Sequence, residues 1–425
     1  MKNKTLLNVL IAILLAVVAG LTTGPETALF GVPLIKIYGL IGQLFLNALS
    51  LVVVPLVAAS IITGMARMGT DQSFGLLGLK TFGYFILTSL IAICVGLGLA
   101  LFLAPGTLGT LIPQLDSMRL NEVAPMLQSD AFSKVEQIVL KLIPSNILAA
   151  ASQGQMLGLI LFSMVFGYFI SKTDAHAASV VLGFWTGVFQ IMMKITHLVM
   201  IALPIGVFGL VAKALATTGI DTIASVAWFF GTVLLGLAIY ALVLLPLLLK
   251  FIAGVSPIAH YRAMLPALVT AFSTSSSAAT LPVTLECVEK NAGVSNRISS
   301  FILPLGTSVN LSGSALYVCV GVLFIAQVYG VNLHGPSLIL VVLMTLMTSL
   351  GTAGIPSASM FSIVVILSTL GLPADGIGLI MAVERLLDMF RTVVNVFGTS
   401  CCAVLVARAE GESEIVIHPE PVASE

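Results

Sequence analysis

Apolar residues run through this chain in blocks of membrane-spanning length, separated by short polar clusters: the first three cover about residues 6–21, 45–62 and 81–103. A helix of about 20 apolar residues crosses the hydrocarbon core of a bilayer. Between residues 104 and 134 the chain turns polar, with Pro105, Pro113, Asp116, Arg119, Glu122 and Pro125, which predicts an exposed connector. Broken apolar segments follow over about 138–171. Longer ones cover 178–212 and 222–252, with Trp185 and Trp228 near their starts as interfacial anchors.

The second half is irregular. From 257 to 294 two apolar arms, each too short to cross alone, flank the tip Ser273-Thr274-Ser275-Ser276-Ser277-Ala278-Ala279-Thr280. The pattern recurs from 337 to 372, where arms 338–350 and 360–370 flank Gly351-Thr352-Ala353-Gly354-Ile355-Pro356-Ser357-Ala358-Ser359. Two re-entrant hairpins fit this pattern, and paired interruptions point to a binding site between inverted repeats. Lipid cannot satisfy freed amides and carbonyls, so both tips are expected to meet in the protein interior. Between them, the small polar run Gly306 to Ser314 interrupts another span.

The last span carries charge. On a helix, Glu384, Asp388, Arg391, Thr392, Asn395 and Thr399 form one polar stripe, while Leu386, Leu387, Val393, Val396 and Phe397 face elsewhere. Intramembrane charges are costly and mark functional sites by default, with each group partnered by protein or substrate.

Composition settles the class. The 425 residues are 58% hydrophobic and 8% charged, which leaves too little polar surface for a soluble globule and implies a polytopic membrane protein. Formal net charge is zero and no basic tract suggests nucleic acid. Cys94, Cys287, Cys319, Cys401 and Cys402 lack metal-ligand spacing and read as packing residues. Lys2 and Lys4 before the first block superficially resemble a secretory signal, but no small-x-small cleavage site follows, so a retained span with a cytoplasmic N-terminus is expected. Lys194 and His197 fit snorkelling or interhelical packing better than a proton relay. No H-E-x-x-H or G-x-S-x-G arrangement supports an enzyme.

Three ordered motifs resemble those of the glutamate transporter homologues, the dicarboxylate/amino acid:cation symporters. Residues 274–282 look like that family's serine-rich first hairpin, Gly351-Thr352-Ala353-Gly354-Ile355-Pro356 like its second, and Asp388-Met389-Phe390-Arg391-Thr392 with Asn395-Val396 like its last span. The resemblance covers nearly the whole chain. It implies an all-α membrane protein of eight transmembrane helices and two re-entrant hairpins, built as inverted repeats, working as a homotrimer by an elevator motion in the plasma membrane, the inner membrane in a bacterium. Residues 1–79 and 134–215 would form the scaffold, 80–133 (with the connector) and 216–409 the mobile transport domain, and 410–425 a flexible tail.

Carried over by position, Arg391 would grip a substrate side-chain carboxylate, Asp388 the α-ammonium, and Asn395 with Ser277 the α-carboxylate region; Thr392 would assist at the side-chain end. Ser276, Ser314 and Gly354 complete the expected substrate set. A guanidinium fork suits a carboxylate, so aspartate or glutamate is the expected substrate. This reading requires an Arg391 that a ligand can reach.

Where the family shows Asn-Met-Asp-Gly-Thr, this chain has Asn310-Leu311-Ser312-Gly313-Ser314, and Thr399 stands where a second aspartate is usual. Both missing carboxylates belong to the family's sodium sites, although Thr88, Ser89, Asn310 and Asn395 match neutral ligands. Without those anions, stripping water from sodium is poorly offset, so proton-coupled, sodium-independent uptake is expected, with no cofactor and no resident metal. The proton carrier of eukaryotic relatives is missing, because Tyr317 is followed by Val318. Glu384 and Asp388 are the candidates, since desolvation favours a neutral carboxyl, a neighbouring guanidinium favours the charged one, and bound substrate alters that balance. A sodium symporter using a carbonyl-lined site near the second hairpin, or a substrate-gated anion channel, are the alternatives.

Overall fold

The computed structural model describes residues 2–23, 27–29, 31–68, 75–107, 143–152, 156–218, 221–351, 359–373 and 376–412. Within these it is mostly helical, with a small hairpin pairing Ala28–Leu29 (β1) with Val32–Pro33 (β2). Among the described residues five stretches are long and apolar enough to cross a membrane: Leu77–Thr107, Ala175–Thr196, Ala224–Ala253, Asn296–Val328 and Ile377–Ala409. Residues 108–134 of the expected polar connector, and Gly354 at the second hairpin tip, lie outside the described residues.

The first block is α1 (Lys2–Thr22), which packs on the body of the protein. Next come α2 (Leu34–Met68), α3 (Gly75–Leu103), a short α4 (Ile147–Ser152) and α5 (Met156–Ile170). The expected 178–212 span is instead two helices, α6 (Ala175–Ile201) and α7 (Leu203–Thr218). Pro204 explains the break, because it has no N–H to donate and its ring crowds the preceding turn, whereas in the first turn of a new helix it is well tolerated. Helices α1, α2, α5, α6 and α7 pack together, and α7 also meets the last helix. Lys194 is exposed, which agrees with a snorkelling role.

Helix α8 (Asp221–Ile239) continues through π-helical turns at Tyr240–Leu244 and Leu249–Ala253, on either side of Leu245–Leu248. Leu245 N–H bonds the Tyr240 carbonyl in this wider register, so the matching donor for Ala241 would be residue 246, a proline. The Tyr261 hydroxyl takes that place and donates to the Ala241 carbonyl. A proline's missing hydrogen bond is thus made good by the next helix.

That next helix is α9 (Pro257–Thr274), joined to α10 (Ser277–Glu286) by Ser275 and Ser276. The two pack as a hairpin, in agreement with the expected first hairpin. At 18 and 10 residues they measure about 27 and 15 Å along their axes. Ser275 closes α9 in the left-handed region, φ 49°, and Ser276 caps α10 by accepting the Ala279 N–H at 3.3 Å. Helices α13 (Pro336–Gly351) and α14 (Ser359–Thr369) are the arms of the second hairpin.

The interrupted span is α11 (Asn296–Val309) and α12 (Ser312–Val328). The break is only Asn310-Leu311, narrower than the nine small polar residues suggested, because Gly306 to Val309 remain helical. Gly306 serves close approach instead. A Cβ there would lie 2.2 Å from the Thr399 methyl carbon and 2.9 Å from its Oγ1. Gly306→Ala should therefore lower thermal stability in detergent by an overpacking cost of about 1–3 kcal/mol, and adding Thr399→Ser, which removes the clashing methyl, should recover most of it. Equal melting of Gly306→Ala and the parent would contradict this.

The long α15 (Ile377–Ala409) runs through the middle and touches α3, α7, α8, α9, α10, α11, α12 and α14. Most of it is buried: the polar stripe is inside, and so are Leu387, Val396 and Phe397 on its other faces, while Leu386 and Phe390 are exposed. Its end is held too. Glu410 pairs with Lys80 at 2.7 Å, and Glu412 accepts both the Ser295 N–H and the Ser295 hydroxyl. The tail expected to be loose from residue 410 is thus tied down through Glu412, because two carboxylates find donors on α3 and before α11.

Candidate functional site

The polar stripe of α15 closes on itself around one guanidinium. Arg391 is fully buried, the largest of the wholly buried side chains. Its Nη2 donates to Glu384 Oε1 at 2.7 Å and to Asp388 Oδ1 at 2.8 Å, and its Nη1 donates to Glu384 Oε2 at 3.3 Å. Helical spacing makes this possible, because residues 384, 388 and 391 share one face and their side chains lean back toward the N-terminus. The guanidinium carbon lies 3.8 Å from the ring centre of Tyr317, which comes from α12 and supplies a π face. The arrangement is fork to carboxylate, the geometry in which arginine binds most strongly.

Glu384 and Asp388 are 3% and 5% exposed, so two carboxylates are held in a dry site. They stand next to the same cation, and Asp388 has a second one. Arg385 Nη1 lies 3.5 Å from Asp388 Oδ2, one turn before it on the helix. Breaking a buried pair by removing one partner is costly, about 3–5 kcal/mol, because an uncompensated charge remains.

Further along, Asn395 repairs the broken span. Its Oδ1 accepts the Gly313 N–H at 2.8 Å, and its Nδ2 donates to Ser314 Oγ at 3.1 Å. The first N–H groups of α12 have no partner within the helix, and a side chain from α15 provides one. One turn on, Thr399 donates to the Asn395 carbonyl at 2.9 Å and accepts from Asn310 Nδ2 at 3.3 Å. The break at Asn310-Leu311 is therefore pinned to α15 by neutral dipoles. No charge takes part in these bonds.

The expected substrate residues are placed as follows. Glu384, Asp388 and Arg391 are bonded to each other, and Asn395 is bonded to Ser314. Thr392 is buried and donates to the Asp388 carbonyl at 2.8 Å, so its hydroxyl is engaged by the backbone. Ser277 is buried in the first turn of α10, which packs on α15, and Ser276 caps that turn. Nη1 and Nη2 of Arg391 both bond Glu384, two turns back on the same face, and its buried Nε has no hydrogen-bond partner among the described residues.

Arg385 and Tyr317 were not singled out as site residues. The signal for Arg385 was its i, i+3 distance from Asp388, hidden because it lies off the polar stripe. Tyr317 lies one turn after Ser314, on the same face of α12.

Comparison with known proteins agrees with this architecture. The chain is 35% identical over 371 residues to the proton/sodium-glutamate symport protein of Bacillus subtilis (strain 168), covering 87% of this chain and 86% of that one. It is 33% identical over 372 residues to the proton/glutamate-aspartate symporter of Escherichia coli (strain K12), covering 87% and 84%. It is also 33% identical over 445 residues to the human excitatory amino acid transporter 3, covering 92% and 83%. Residues 6–409 match the profile of the sodium:dicarboxylate symporter family, and the chain belongs to that family of membrane transporters.

Proposed function

We propose that this protein is a proton-coupled, sodium-independent symporter of aspartate and glutamate, working as a homotrimer by elevator-type alternating access. The observation that carries the reading is the buried Arg391 held by Glu384 through both ends of its fork. A carboxylate already sits where a substrate carboxylate would bind. Binding is then an exchange of one carboxylate for another on the same guanidinium, which conserves the charge-assisted contacts. A proton on Glu384 removes its charge, loosens its hold and frees the fork. Asp388 remains for the α-ammonium, and Asn395 with Ser314 and the α10 cap lies toward the α-carboxylate.

Sodium independence is supported by the neutral pairing of Asn310 with Thr399. Hard cations take oxygen ligands, and anionic ones offset much of the dehydration cost; this pair offers none. The E. coli relative is named a proton symporter and the B. subtilis one a proton/sodium symporter, so the two ions must be separated by experiment. In proteoliposomes, uptake of labelled aspartate and glutamate is expected to follow an inward proton gradient and to be unchanged when sodium is replaced by choline. Uptake that stops without sodium would refute the coupling.

A further inference from the structure

Tyr317 brings a hydroxyl as well as a ring to the charged cluster. The side chain is fully buried, its ring lies against Arg391 with its centre 6.0 Å from that of Phe229, and Asn395 pins the turn before it to α15. It is therefore a fixed wall of the site. Its hydroxyl faces Glu384, yet it completes no hydrogen bond among the described residues. Glu384 has both oxygens on Arg391, at 2.7 and 3.3 Å, and does not need the phenol while it holds the fork. A buried hydroxyl left unpaired is costly, which calls for a second arrangement of the site in which it has a partner.

We propose that the Tyr317 hydroxyl receives Glu384 when a substrate carboxylate takes its place on Arg391, which makes Tyr317 a positioning residue for transport. The inference rests on the exchange of carboxylates proposed above. A displaced Glu384 stays in a dry site and needs a new partner. Once neutral, it has an O–H to place and a carbonyl oxygen to satisfy. A phenol accepts the first and donates to the second, whereas a guanidinium only donates, so the unpaired Nε atoms of Arg385 and Arg391 meet half of that need. Asp388 is already engaged by Arg391, by Arg385 and by a further contact. The hydroxyl is thus unused in the empty site, and in the loaded one it holds the neutral side chain off the fork.

The test is a double-mutant cycle on aspartate binding, by isothermal titration of the full-length protein in detergent with no ion gradient. Tyr317→Phe keeps the ring over Arg391 and deletes the hydroxyl. It is expected to weaken aspartate binding about tenfold, because one buried polar group is left unpaired in the loaded site. In a Glu384→Ala background no displaced carboxyl needs a partner, and the same change is expected to alter affinity by less than about twofold. Glu384→Leu takes the place of the alanine variant if that one does not fold. Ligand-free Tyr317→Phe is expected to melt at or above the parent, since the empty site loses an unpaired hydroxyl and no bond. An equal loss in both backgrounds would place the hydroxyl on the substrate or on Arg391 and overturn the proposal. Undiminished affinity in Tyr317→Phe, or a lower ligand-free melting temperature, would overturn it too. Gradient-driven uptake is a separate readout: strict sodium dependence sinks the proton reading and leaves the cycle standing, while a cycle without coupling between the two residues leaves the proton reading intact.

Discussion

Arg391→Ala is expected to lower affinity for aspartate and glutamate by at least about a hundredfold and to abolish uptake at micromolar substrate. The loss has two sources. A bidentate charge-assisted contact to the substrate disappears, and Glu384 and Asp388 are left facing one another without the cation that holds them at 2.7 and 2.8 Å. Removing one partner of a buried ion pair costs about 3–5 kcal/mol, and each 1.4 kcal/mol is a factor of ten in affinity. Arg391→Lys keeps the charge but not the fork, so it should recover folding more fully than binding. Isothermal titration with aspartate measures the first and thermal unfolding the second. Undiminished affinity in the alanine variant would remove the guanidinium from the substrate site.

The second large effect is expected at Glu384. Glu384→Gln cannot carry a negative charge and behaves as a permanently neutral side chain, so its grip on Arg391 stays weak at every pH. In the parent, aspartate affinity should fall as pH rises, because the ionised carboxylate reclaims the fork; in the variant it should be flat and close to the low-pH value of the parent. Exchange of internal for external aspartate should persist, since no net proton movement is needed. Accumulation against a gradient should be lost. Binding titrations across pH together with counterflow and gradient-driven uptake distinguish these. A variant that still concentrates aspartate from a proton gradient would exclude Glu384 as the carrier and leave Asp388.

Much of the fold was legible because lipid and protein interior impose strict rules on the backbone. The hairpin of α9 and α10 was readable from two short apolar arms around serines, and its turn is at Ser275 and Ser276 within that tip. The interruption before α12 was readable from small polar residues, but its width was not, since Gly306 is small to admit Thr399 and bends nothing. The split between α6 and α7 was missed because a long apolar run outweighed a single Pro204. At the site, periodicity placed Glu384, Asp388 and Arg391 on one face. It could not say that the carboxylates would turn onto the guanidinium, since rotamers depend on what each side chain finds when buried. For the same reason the Asn395 contact to the backbone of α12 was invisible: it spans 82 positions in the chain.

The anchored end of α15 bears on how the molecule should be handled. Glu410 and Glu412 hold the stem of the C-terminal extension to α3 and to the residue before α11. A purification tag or fluorescent reporter fused after them leaves these grips intact, whereas a fusion joined at Ala409 strips them away and unfastens the helix that carries Glu384, Asp388 and Arg391.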